Sequence, residues 1–173
     1  MTKIKIISVI LCLLLSVIFH FLYTLFPSPI TSIFFPVNES IWEHMKLITM
    51  PIIFTSIIEY FLYKSFNISY HNFTLSIGIS SLFGIMFYLI LYLPITSIFK
   101  HNFIIAIFIL LLTFIFSAYI SYIVLNTNQV KYNNLIGFLL IFINIIIFTI
   151  FTYNPPNNYL FYDTQTKSYG ISK

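Results

Sequence analysis

The sequence predicts an all-α, polytopic integral membrane protein of about five transmembrane helices, with a re-entrant or interfacial segment after the first. Three observations predict it. Of 173 residues, 60% are hydrophobic and only 7% charged, with a mean hydropathy of +0.99; soluble domains run about 45–50% apolar and about 25% charged. A soluble domain of this size has too high a surface-to-volume ratio to hide so much apolar surface. The apolar residues also gather in five stretches, which place helices at about 4–26, 40–63, 74–99, 102–125 and 134–153, each long enough for the roughly 20 residues that a crossing needs. This composition excludes a soluble enzyme, a disordered tail and a nucleic-acid-binding module. It predicts a multi-pass protein of the cell membrane, with the lipid bilayer as partner and no nucleic acid.

The first stretch follows Lys3 and Lys5, as a signal peptide would, but it is long and lacks a small-x-small cleavage site, so it reads as a retained helix. Cys12 within it is the only cysteine; no intrachain disulfide is possible, and Leu11 stands where a lipidated cysteine needs a small residue. Residues 27–37 hold Pro27, Pro29 and Pro36 among apolar neighbours. They cannot form a continuous helix, and lie in the interface or dip back against the bundle. The apolar run 47–63 supplies only about 26 Å against a hydrocarbon core of about 30 Å. The helix must therefore begin earlier, at Ser40-x-x-Glu43, a capping-box pattern in which two side chains satisfy each other's free backbone donors. Starting there gives about 36 Å, with a kink at Met50-Pro51 and with Glu43, His44 and Lys46 at headgroup level.

The third stretch carries Ser76, Ser80 and Gly84 at spacing four, a small-residue stripe that lets another helix approach; Ser117 and Ser121 repeat it in the fourth. Asn144, midway along the last stretch, is expected to hydrogen-bond to a neighbouring helix. Tyrosines near the span ends, among them Tyr23, Tyr60, Tyr63, Tyr122 and Tyr153, form an interfacial belt. In the tail, 154–173, Pro155 and Pro156 stop the last helix, and Asp163 to Gly170 has turn composition. Tyr159, Leu160, Phe161 and Tyr162 are too apolar for a solvated tail, which is expected to fold back onto the interface. No linker, repeat or second domain is visible in this single transmembrane domain.

Five crossings impose a parity. The connection after the first helix, the connection after the third and the tail share one face, which collects Asn38, Glu39, Glu43, His44, Lys46, Lys100, His101 and Asp163. His20 joins them, about 9 Å below the end of its helix. The opposite face holds Lys3, Lys5, Lys64, His71 and Lys131, with Glu59 close by. Lysines divide evenly between the faces; Lys3 and Lys5 on the first helix favour an N-terminus inside. The net charge of +4 is spread over termini and connections as membrane-flanking charge.

The densest polar run is Asn38 to Lys46. As a helix start it stacks Glu39 over Glu43 and puts Glu43 one turn from Lys46, with His44 turned about 100° away. His20, Asn38, Glu39, Trp42, Glu43, His44 and Asp163 make up the candidate ligand-binding set. Within it, His20, Glu39, His44 and Asp163 form a mixed nitrogen/oxygen group suited to a divalent zinc, manganese or iron ion, although no H-E-x-x-H, H-x-x-x-H or C-x-x-C spacing accompanies them. Glu39, Glu43 and His44 are the candidates for catalysis.

A structural reading stands beside each of these. The run is equally an interfacial helix cap with solvated charges. His20 serves as well hydrogen-bonded between helices, Trp42 as an interface anchor, and Glu59 as a group reaching for water or Lys64. Asn38, Asn67 and Asn72 match glycosylation sequons, as Asn-rich composition does by chance.

The block P-V-N-E-S-I-W-E-H-M-K (Pro36 to Lys46), His20 in H-F-L-Y, and the tail Y-N-P-P…L-F-Y-D…Y-G resemble a family of small prokaryotic membrane proteins catalogued as domain of unknown function 6512. The resemblance implies a bacterial protein of several membrane helices. It marks His20, Asn38, Glu39, Trp42, Glu43, His44, Pro155, Asp163 and Gly170 as motif positions, and it supplies no substrate. Lys167 departs from it, standing where the tail turn calls for Gly.

Three functions remain open. The leading one is an interfacial His/Glu/Asn pocket that binds a small ligand, a lipid headgroup or a partner. The second is a membrane-embedded, metal-dependent hydrolase or transferase acting on lipid, with Glu39 or Glu43 as base. The third is a transporter; a lone chain of five helices has little interior for a pathway, so it requires a homo-oligomer.

Overall fold

The structure of the chain, a computed structural model, describes residues 3–99 and 102–171. Lys100 and His101, placed by parity above, lie outside the described residues. The chain is helical almost throughout: α1 (Lys3–Leu25), α2 (Pro29–Phe34), α3 (Ile41–His44), α4 (Lys46–Ser65), α5 (Phe73–Phe99), α6 (Phe103–Asn126) and α7 (Asn133–Tyr153). A 3-10 turn, Tyr159–Phe161, and two short antiparallel strands, β1 (Tyr162–Asp163) and β2 (Ser168–Tyr169), make up the tail. With α3 and α4 taken as one rod, Ile41–Ser65, five helices of 21 to 27 residues are long and apolar enough to cross a membrane. At 1.5 Å per residue they measure roughly 31–41 Å.

The helices bury their small and polar faces and expose their apolar ones. On α1 the buried face runs Lys5, Ser8, Cys12, Ser16, steps of three and four that keep one side of a helix in line. Ile6, Ile10, Leu14, Val17, Ile18 and Phe21 are exposed on the other side. The Ser/Gly stripes of α5 and α6 meet face to face: Ser121 donates to Ser76 at 3.3 Å, and a methyl group on Gly84 would collide with the Ser117 hydroxyl. Gly137 brings α7 against the α5 backbone, where an added Cβ would stand 2.5 Å from the Leu75 nitrogen.

Several local expectations need correction. The Ser40 side chain accepts from the Glu43 amide at 3.3 Å, but the reciprocal half of the capping box is absent; the Ser40 amide donates to Asn38 at 2.9 Å instead. The Glu43 carboxylate is drawn away by Lys46, 2.7 Å from it, because a buried charge needs a charged partner, whereas the Ser40 amide is already satisfied by Asn38. A complete capping box stands at Ser28 and Thr31, at the start of α2. The helix is interrupted at Met45, which the sequence did not signal: the Met45 amide bonds back to Trp42 at 3.1 Å, a tightened turn, while α4 continues through Pro51. Asn144 is buried on α7, but its Oδ1 has no hydrogen-bond partner.

Two buried ion pairs brace the helices. Lys5 lies 2.7 and 2.9 Å from the two Glu59 oxygens and 2.7 Å from Ser121, and Ser8 also donates to Glu59. Glu59 thus pairs with Lys5 across two helices, not with Lys64 or water. Lys46, fully buried, donates at 2.7 Å to both the Ser32 carbonyl and Thr152, besides pairing with Glu43. Thr152 in turn donates to Glu43 at 2.7 Å. Lys46 is therefore an interior clamp on α2, α4 and α7.

Candidate metal centre

Each side chain of the centre is positioned by a different device. His20 projects from the last turns of α1 on the side of its polar stripe. Glu39 is held by its own backbone: its amide donates to Asp163 at 3.4 Å, while Asn38 donates to the Gly170 carbonyl at 2.7 Å. The tail therefore fastens the segment that carries Glu39. His44 ends α3, where its Nδ1 lies 2.8 Å from the Ser40 carbonyl. A carbonyl only accepts, so Nδ1 carries the proton, and Nε2 is left to face Glu39.

The three groups converge. His44 Nε2 is 3.4 Å from one Glu39 oxygen and His20 Nε2 is 3.8 Å from the other. The two imidazole centroids are 5.4 Å apart, and one donor atom from each residue lies within 4.8 Å of the others. Ligands bound at about 2.0–2.2 Å to a single ion stand roughly 3.0–3.5 Å from each other, so modest side-chain adjustment closes the set. All three side chains are partly accessible, at 25%, 19% and 35% for His20, His44 and Glu39. The group is the only one of three or more His, Cys, Asp and Glu residues with metal-ligand geometry among the described residues.

Two cavities meet at the centre. One, of about 280 Å³, has walls from α1, α5 and α6, with Val17, Phe21, Leu110, Tyr92 and Thr96 among them. The other, of about 170 Å³, is polar, lined by Thr24, Asn38, Asp163 and Thr166. His20, Glu39 and Gln165 border both.

The remaining sequence candidates are brought to the same end of the molecule but are occupied there. Asn38 holds Gly170 and Ser40. Glu43 is enclosed by Lys46, Thr152 and the Val37 amide, 3.1 Å away. Trp42 stacks on Phe161 at 4.7 Å between centroids, with Phe148 and Phe151 beside it; it is packed within the fold rather than anchored as a lone interfacial ring. Asp163 lies outside the group of three. It accepts from the Gln165 amide and Thr166 hydroxyl, each at 2.8 Å. Burial pushes its carboxyl upward, but the bonds from Thr166, Gln165 and Glu39 outweigh that and hold it below its ordinary value.

Residues 1–171 match the family described as "Family of unknown function (DUF6512)". The chain belongs to that family. No curated protein and no solved structure matches it. Sequence reasoning missed Tyr92, Thr96 and Gln165 in this DUF6512 chain. Their signal was parity alone, since the end of α5 and the tail fall on the same face as His20, but nothing in a tyrosine or threonine near a span end marks it as lining a cavity.

Proposed function

We propose that the protein is an integral membrane metalloprotein, which binds a divalent transition-metal ion through His20, Glu39 and His44 and presents it to a ligand in the adjoining cavity. Membrane residence is supported by the inside-out arrangement. Charged Lys5, Glu59, Glu43 and Lys46 are interior, whereas Ile, Leu and Phe dominate the exterior of the five long helices. Such a distribution is favourable in hydrocarbon and costly in water.

The observation that carries the metal reading is the aim of two imidazole nitrogens at one carboxylate. His44 is held with its proton on Nδ1, so the Nε2 lone pair of the neutral ring faces a carboxylate oxygen. That approach is repulsive unless positive charge lies between them. A proton on Nε2 would answer it for His44 only by charging a ring whose Nδ1 already carries one, while His20, 5.4 Å away between centroids, can meet Glu39 as a neutral Nε2–H tautomer; one ion answers it for all three groups. The backbone bond at Nδ1 is the outer support that metal-ligating histidines use to fix ring orientation.

Three protein ligands leave coordination positions for water or substrate, the pattern of catalytic rather than structural centres, and an ion there would supply Lewis-acid chemistry. This favours metal-assisted hydrolysis or transfer over simple retention of a ligand. Glu43, enclosed by Lys46 and Thr152, is not placed to act as base.

The test is elemental analysis of purified protein. Wild type should carry a stoichiometric divalent ion, His20→Ala, Glu39→Ala and His44→Ala should lose it, and His71→Ala should keep it. Wild type without metal, or metal retained in all three variants, would overturn the proposal.

A further inference from the structure

We infer that the ligand of this centre is a membrane lipid with an exposed phosphate monoester headgroup, which enters sideways between α1 and α6. The inference rests on the metal reading above and adds the substrate class. Three observations carry it.

First, the centre lies on a boundary between environments. On one side is the apolar cavity of about 280 Å³, and on the other the polar one of about 170 Å³. A ligand that touches His20 and Glu39 while filling both spaces must itself be amphiphilic.

Second, the apolar cavity opens towards the surface that would face acyl chains. Val17 and Phe21 on α1 and Phe103 on α6 line it, yet are 42%, 52% and 67% exposed on the outside of the bundle. A chain can therefore reach the cavity without crossing water.

Third, the charge balance selects the headgroup. A divalent ion held by one carboxylate and two neutral imidazoles keeps a net positive charge. Among the described residues of both cavities the only further charged group is Asp163, and its carboxylate is engaged by Gln165, Thr166 and the Glu39 amide. Tyr92, Thr96 and Gln165 add hydroxyl and amide groups, not charge. An anionic oxygen ligand completes this set, and a phosphate monoester offers it without a bulky substituent. Free phosphate shares that chemistry but leaves the apolar walls unused, whereas acyl chains would bury their methylenes against them.

The experiment uses full-length protein in detergent loaded with Co²⁺, whose visible absorption reports its ligands. Dioctanoyl phosphatidic acid, inorganic phosphate and dioctanoylglycerol are titrated separately. Phosphatidic acid should shift the spectrum at an about tenfold or greater lower concentration than inorganic phosphate, because its chains are buried, and dioctanoylglycerol should leave it unchanged. Ala106→Trp and Leu110→Trp, which fill the cavity, should abolish the lipid advantage while Co²⁺ stoichiometry and the response to inorganic phosphate persist. Failure to bind Co²⁺ would overturn the metal reading and this inference with it. Bound Co²⁺ that responds equally to lipid and inorganic phosphate, to neither, or to the lipid in both Trp variants as in wild type, would overturn this inference alone.

Discussion

Single residues decide how the tail presents Glu39 to the two histidines. Lys167 adopts φ +56° in the turn between β1 and β2, a left-handed conformation that costs a side-chain-bearing residue about 1–2 kcal/mol and glycine nearly nothing. The turn thus keeps the geometry glycine would give and stores the strain. Lys167→Gly should raise thermal stability in detergent by about 1 kcal/mol after the greater flexibility of glycine in the unfolded chain is deducted; an unchanged or lowered midpoint would show the strain is relieved elsewhere. Asp163 offers a second test. Its carboxyl is held below the ordinary value of 3.8, so its contribution is present above that value and is lost as pH falls through the lower folded one. Below about pH 4, protonation should loosen the tail, read as faster proteolysis after Lys167, and Asp163→Asn should remove that pH dependence. Lys167 was legible in the sequence as a glycine-like position, and Asp163 as a turn residue. That Asp163 supports Glu39 instead of joining it was not, because a carboxylate's role depends on which donors reach it.

At the scale of elements, the chain is held by pairs of helices whose small residues permit approach and whose buried charges fix register. The Ser76–Ser80–Gly84 and Ser117–Ser121 stripes were readable because spacing four is a property of one helix. Their pairing across α5 and α6 follows from packing small surfaces together. The Lys5–Glu59 pair was half readable: parity placed both at one end, but partner choice between Lys5 and Lys64 depends on which faces α1 and α4 turn to each other. Lys64 is exposed, whereas Lys5 is buried. Removing one partner strands the other charge, so Glu59→Ala should destabilise by about 3–5 kcal/mol, and the double variant Lys5→Met/Glu59→Leu should recover most of it. Measured in detergent unfolding, a double variant no more stable than Glu59→Ala would show that the pair is worth more than its mutual neutralisation. The interruption at Met45, six residues ahead of Pro51, belongs to this scale as well. On either side of it, Glu43 of α3 and Lys46 of α4 both turn inward while His44 faces Glu39.

Across the whole molecule, alternation of five helices separates two polar ends. Lys5, Glu59, Ser121 and the Asn72–Thr127 contacts mark one; the His20–Glu39–His44 group and the tail mark the other. For a membrane-spanning chain, single cysteines at Thr164 and Lys64, both exposed, should label from opposite sides of sealed vesicles. Labelling from the same side would break the alternation and with it the membrane reading of the bundle. Composition by itself marked a chain with too few charges and too much apolar surface for an ordinary soluble domain, and hydropathy with parity determined the number of long helices and which end gathers the histidines and acids. Tertiary structure alone decided which of those groups meet. It put His20, Glu39 and His44 within reach of one ion, gave Glu43 to Lys46, kept Asp163 for the tail, and set an apolar cavity beside the centre. The physical reason is range: periodicity and hydropathy are local sums along one helix, whereas a ligand set is a coincidence of side-chain directions from elements far apart in the chain, fixed by packing and by which buried charge each partner must neutralise.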